Sequence, residues 1–190
     1  MTEPTLADDR SIELRQLGNS EISITPVALG CWPIAGVTTR DVNDADSLAT
    51  IRAACDRGLN HLDTAYVYGP QGESERLVGR AIAGRRDELV IATKGGIHFE
   101  ADGQMAEDGR PETLRRECDE SLTRLGIDHV DLYYLHSPDP KVPVAESAGA
   151  IRELIDAGKV RAAGASNGSL EQIQEFAAAF NGRIQAMART

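Results

Sequence analysis

The chain of 190 residues is 41% hydrophobic, enough for one sizeable core and short for two, so a single α/β domain over residues 1–190 is expected. Its 30 Asp and Glu against 20 Lys and Arg give a formal charge of -10, which repels phosphate backbones and anionic lipid, so neither nucleic acid nor a membrane surface is an expected partner. Cys31, Cys55 and Cys118 form no C-x-x-C and no His-paired set, so no metal site is expected; with a polar, acidic start and no apolar run near the ~20 residues of a membrane span, they point to a reduced cytoplasmic setting.

In chain order, residues 12–15 and 22–24 alternate apolar and polar around Leu17, Gly18, Asn19 and Ser20, the pattern of a hairpin, read here as an N-terminal lid. Residues 27–32 form a short apolar run without alternation, as expected of a strand covered on both faces. A repeated unit follows, in which a helical stripe stops at glycine and an apolar strand comes next. Leu48, Ile51 and Cys55 stripe a helix ended by Gly58, and a strand then runs to Asp63. Leu77, Val78 and Ala81 mark the second helix, residues 89–96 the third strand, and residues 98–110 an acidic, glycine-interrupted loop. Pro111 opens a helix burying Leu114, Cys118, Leu122 and Leu125 and ending at Gly126, before a strand over 130–136. Ala148, Ile151 and Ile155 stripe the next helix up to Gly158; a strand over 160–167 follows, then a helix capped by Ser169 and Gln172 with Ile173, Phe176 and Phe180 inward. A sixth strand would begin at residues 184–186.

The alternation calls for parallel strands with crossover helices, either an open doubly wound sheet or a (β/α)8 barrel. Polar residues favour the barrel lineage. Asp63, Lys94, His136, Ser166 and Gln185 fall at the C-terminal ends of successive strands, where a barrel mouth builds its site, and neither common phosphate loop motif is present. These residues also suggest a chemistry. A phenol, with its usual pKa of ~10, transfers protons poorly at neutral pH unless a cation stabilises its anion. Lys94 is a candidate cation, Asp63 its counter-ion, and Tyr68, a short turn beyond Asp63, the phenol. His136 is placed to donate a hydrogen bond to a carbonyl oxygen or to share the proton with Tyr68.

The residues themselves resemble the aldo-keto reductases. Asp63, Thr64 and Ala65 with Tyr68 and Gly69, then Ala92, Thr93 and Lys94, Leu135 and His136 before Pro138 and Asp139, and Gly164, Ser166 and Asn167 stand in that family's order and approximate spacing. Leu29, Gly30, Cys31 and Trp32 are similar to it as well, as are Gly158, Lys159, Val160 and Arg161. The resemblance implies a catalytic tetrad of Asp63, Tyr68, Lys94 and His136, with Tyr68 as proton donor in reducing an aldehyde or ketone. It implies NADPH as cofactor, its nicotinamide held by Ser166, Asn167 and Gln185, and it places Trp32 and residues 98–109 at the pocket of a small-molecule carbonyl substrate.

Taken singly, Asp63 reads as a turn carboxylate, Lys94 as a solvated strand end and His136 as a core histidine. Their coincidence at one end of consecutive strands outweighs those readings. Tyr66, Tyr133, Tyr134 and Cys31 are read as structural. Two other functions compete with reduction: a non-catalytic binding or regulatory module on the same scaffold, and a Schiff-base lyase using Lys94. A full barrel takes roughly 250 residues and carries its phosphate site after strands seven and eight, so about six strand units imply an incomplete barrel. Ala188 stands where the family commonly has an aromatic that stacks on the nicotinamide. The sequence therefore also implies weak or absent turnover for this chain, and self-association through exposed sheet edges.

Overall fold

The computed structural model describes residues 12–36 and 38–180, together with the backbone of the strand Ala186–Ala188. Strands β1 (Arg15–Gln16) and β2 (Ser23–Ile24) pair antiparallel as the expected hairpin. After β3 (Leu29–Gly30), strands and helices alternate: α1 (Asp44–Asp56), β4 (His61–Asp63), α2 (Glu73–Ile82) and β5 (Val90–Gly95). An antiparallel pair, β6 (Ile97–Phe99) and β7 (Met105–Glu107), interrupts the alternation. It resumes with α3 (Pro111–Leu125), β8 (Val130–Leu135), α4 (Val144–Asp156), β9 (Val160–Ser166), α5 (Leu170–Ala178) and β10 (Ala186–Ala188).

The main sheet has six parallel strands in the order β3-β4-β5-β8-β9-β10, so each chain neighbour is a sheet neighbour apart from the inserted hairpin. This is the sequential winding of a (β/α)8 barrel left open, with β3 and β10 as its edges. Local chemistry explains the boundaries. The Asn43 side chain accepts from the Asp46 amide to start α1, Pro111 occupies the first turn of α3, and Gly126 ends that helix at φ 68°. Ser169 and Gln172 cap α5 reciprocally, as expected from their spacing.

The period-two alternation of the strands separates two layers. Ile91, Tyr133, Leu135, Ala163 and Ala165 face the helices and pack with Leu77, Leu114, Leu122 and Ile151. Val90, Ala92, Leu132, Tyr134 and Ala162 face the barrel interior, where Leu17 and Ile22 of the hairpin cover them. Asn60, just before β4, ties the hairpin down by donating to the Ser23 carbonyl at 3.0 Å and accepting from the Thr25 amide at 2.7 Å. The hairpin thus plugs the N-terminal end of the sheet, opposite Asp63, Lys94 and His136, and covers no part of their site.

Two other expectations are corrected. The run 27–32 yields only the two-residue strand β3; as an edge strand it is paired along one side, and Val27 is 69% exposed instead of covered on both faces. Residues 98–110 are not a loop: Ile97–Phe99 and Met105–Glu107 form a hairpin turned by Asp102 and Gly103, the glycine at φ 81°. Its Gln104 amide is bonded to Asp102 Oδ1 at 2.9 Å, and its Glu100 amide to the Gln104 carbonyl at 2.8 Å.

Candidate active site

The site forms where β4 and β5 end side by side. Asp63 pairs with Ala92 in parallel register, and the ladder continues past β4 through the Thr64 amide on the Ala92 carbonyl and the Tyr66 amide on the Lys94 carbonyl. Lys94, two residues beyond Ala92, therefore shares the interior face with Asp63. The chain then turns, with the Tyr68 amide bonded to the Ala65 carbonyl at 3.1 Å and Gly69 at φ 94°. The Ser74 amide holds the Tyr68 carbonyl at 3.1 Å, and the Ser74 hydroxyl holds both Thr64 Oγ1 and the Cys31 carbonyl, so the start of α2 fixes the loop. That turn folds the Tyr68 ring back over the strand ends.

Lys94 is fully buried, and its ammonium donates to Asp63 Oδ1 at 2.8 Å, to the Thr64 carbonyl at 2.9 Å and to Tyr68 Oη at 3.1 Å. These three contacts occupy the buried Lys94 nitrogen and tie it to Asp63 and Tyr68, which disfavours the lyase reading. The Asp63 side chain keeps 24% of its surface exposed, and Tyr134 lies beneath, its ring centre 5.9 Å from Lys94 Nζ. His136 directly follows β8 on the same face, with ring centre 5.8 Å from that of Tyr68 in an edge contact. Burial, helped by the Lys94 charge, pushes the His136 pKa down to about 3, so the ring is a neutral imidazole at ordinary pH. Its Nδ1 is buried with no hydrogen-bond partner among the described residues.

Trp32 opens a short 3-10 turn (Pro33–Ala35) and meets the Tyr68 ring edge-on at 4.8 Å. With Tyr68, Val67, Ile97 and Met105 it lines a cleft of about 840 Å³ whose floor carries Asp63 and His136. The wall from β6 and β7 carries a hairpin signal in the sequence, Asp102-Gly103 between two alternating stretches, which the acidic and glycine residues around it mask. A buried carboxylate secures that wall: Glu117 of α3 accepts from the Gly96 amide at 2.7 Å and bonds His98 Nδ1 at 2.9 Å. Burial raises the Glu117 pKa, and these hydrogen bonds oppose the rise.

Ser166 ends β9 beside His136, and Asn167 bridges the two strands, donating from Nδ2 to the His136 carbonyl and to Ser166 Oγ, each at 3.0 Å. Asn167 sits at φ 57°, a left-handed conformation that asparagine tolerates better than most residues. Because Ser166 Oγ accepts from Asn167, its own hydrogen points elsewhere and can donate. A buried hydroxyl donor and an amide side chain together at the end of β9 suit the carboxamide of a nicotinamide, so the described residues fit that end of a dinucleotide. Gln185 lies outside the described residues. Tyr66 turns away: its hydroxyl donates to Glu120 at 2.6 Å and its ring packs on the Arg124 guanidinium at 4.1 Å. Cys31 is buried, and desolvation followed by the Asp63 charge pushes its thiol up to about 12.

This order of elements and side chains has a counterpart among known proteins. Residues 26–187 match the model of the Aldo/keto reductase family. The chain belongs to that family. It is 40% identical over 169 residues to aldo-keto reductase YhdN of Bacillus subtilis, covering 88% of this chain and 50% of that protein. It is 37% identical over 167 residues to a 6-dehydroglucose reductase of Novosphingobium aromaticivorans, covering 84% of this chain and 53% of the relative. Among solved structures, the glycerol dehydrogenase AKR11B4 of Gluconobacter oxydans superimposes with a TM-score of 0.82 at 36% identity, over 95% of this chain and 55% of its own. The aldo-keto reductase AKR11C1 of Bacillus halodurans, in its holo form, gives 0.83 at 29% identity, over 94% and 57%. The chain spans about half the length of the curated relatives it matches. Among the described residues, no helix of this aldo/keto reductase chain is long and apolar enough to cross a membrane.

Proposed function

We propose that this site reduces an aldehyde or ketone to the alcohol, with Tyr68 as proton donor. The observation that carries the reading is the buried Lys94 ammonium, which donates to Tyr68 Oη at 3.1 Å while Asp63 balances it at 2.8 Å. As the carbonyl oxygen gains negative charge it takes the Tyr68 proton, and the phenolate left behind is stabilised by the Lys94 charge. Neutral His136, beside Tyr68, donates a hydrogen bond to the same oxygen and so orients the carbonyl. A nicotinamide dinucleotide, when bound, supplies the hydride that adds to the carbonyl carbon; by family resemblance it is NADPH. Ser166 and Asn167 would hold its carboxamide, with Gln185. Trp32 and the hairpin wall hold the rest of the substrate and exclude water from the reacting carbon.

The test is Tyr68→Phe assayed with a neutral aldehyde and either NADPH or NADH. Loss of the hydroxyl removes the proton donor and leaves the packing, so turnover is expected to fall by about 10²–10⁴. Unchanged turnover would remove Tyr68 from the reaction. A binding module on this scaffold, by contrast, would show no turnover in either form.

A further inference from the structure

We infer that the cleft discriminates by charge, with Glu107 as the residue that favours neutral or cationic apolar carbonyl compounds and rejects anionic ones such as 2-oxo acids. This rests on the reading that the cleft receives the reductase's substrate. Glu107 ends β7 on the cleft lining, and its Oε1 accepts from the Ser137 hydroxyl at 2.7 Å, which holds the carboxylate in place from the loop after β8. The lining carries one other carboxylate, Asp63, whose charge Lys94 already balances. Among the described residues, the cleft lining includes no lysine or arginine to offset Glu107, and its one imidazole, His136, stays neutral, its pKa pushed down to about 3 by burial. The remaining walls, from Trp32, Val67, Ile97 and Met105, are apolar. A substrate tail lying along them therefore meets one negative charge at the exposed rim of the cleft, with no cation on the lining to offset it. An anionic group placed there loses water and gains repulsion, whereas a neutral group buries apolar surface and an ammonium or hydroxyl gains a charge-assisted hydrogen bond.

Trp32 is the chain's one tryptophan and lies on the cleft, so its emission reports occupancy without turnover. The 190-residue chain is titrated at low salt with para-methylbenzyl alcohol, para-(hydroxymethyl)benzoate and para-(aminomethyl)benzyl alcohol, which differ in charge at one end. The benzoate is expected to bind about tenfold more weakly than the neutral ligand, as for like charges a few ångströms apart near a surface, with the gap closing as salt is raised. Glu107→Gln should bring the three affinities together, and Glu107→Lys should reverse the order. Equal affinities for the native chain, an order unchanged by Glu107→Lys, or quenching by none of the three would each overturn the inference. Charge-ordered binding supports this selectivity whether or not the chain reduces a neutral aldehyde, whereas reduction with no charge order refutes the selectivity and leaves the reductase reading standing.

Discussion

The buried imidazole at the end of β8 makes the protein's stability depend on pH in a way that one substitution isolates. Burial and the Lys94 charge depress the His136 pKa from 6.5 to about 3 in the folded chain, so between those values the unfolded chain binds a proton that the folded chain refuses. Stability from this group is therefore complete above 6.5 and lost as pH falls through the window towards about 3. Each pH unit inside the window removes about 1.4 kcal/mol. Going from about pH 8 to about pH 5 enters the window by one and a half units, so His136 should cost the fold about 2 kcal/mol. His136→Gln removes this ionisation. Its own packing penalty is the same at every pH, and His61, whose pKa burial also lowers, titrates equally in both proteins. Urea unfolding at about pH 8, 6.5 and 5 should show the native chain losing about 2 kcal/mol more than the variant over that range. Parallel profiles would mean that His136 is solvated or carries its proton in the folded state, and the neutral hydrogen-bond donor assigned to it in carbonyl reduction would be lost with it.

At the end of β5, a Cβ on Gly95 would overlap Tyr133 Oη and stand 2.8 Å from that ring's Cζ, so Gly95→Ala should cost about 1–3 kcal/mol in urea unfolding. Adding Tyr133→Phe removes the overlapping oxygen and should recover part of that loss despite sacrificing its hydrogen bond to the Leu114 carbonyl; an additive double mutant would contradict this contact. His98→Ala takes away one of the two groups by which Glu117 fastens the hairpin wall, leaving the Gly96 amide in place. A looser wall should raise KM for a neutral aldehyde several-fold with kcat little changed, and an equal fall in kcat would place His98 nearer the chemistry than the cleft rim. Among the described residues β3 and β10 each pair along one edge only, so sedimentation velocity should show concentration-dependent association of this chain. A single monomeric species at all concentrations would refute it.

The sheet and its site were legible from the sequence because their signals are local and repeated. Apolar runs without alternation that follow a helix stopped at glycine are the pattern of strands packed on both sides, and Asp63, Lys94 and His136 stand out as polar residues ending such runs. What was not legible depends on contacts distant in sequence. The hairpin of residues 15–24 reads the same whichever end of a barrel it plugs; the choice is made by Asn60, whose amide grips Ser23 and Thr25. The β6–β7 wall reads as a loop because its acidic and glycine residues outweigh a short alternation, and its hold on the body runs through Glu117, which helical spacing alone marks as an ordinary polar residue. Glu75 is a second case in the same helical layer: fully buried on α2, it accepts from Thr93 Oγ1 at 2.7 Å and from Arg124 at 3.2 Å, and burial raises its pKa. Both carboxylates sit behind the strand that carries Lys94, Glu75 bonded to Thr93 on one side of it and Glu117 to the Gly96 amide beyond its end. The lysine's neighbours in sequence are thus pinned to two different helices, α2 and α3. A fixed strand end is what allows a flexible four-carbon side chain to hold three acceptors at hydrogen-bonding distance, so the precision of the interior face is set by polar contacts on the exterior one.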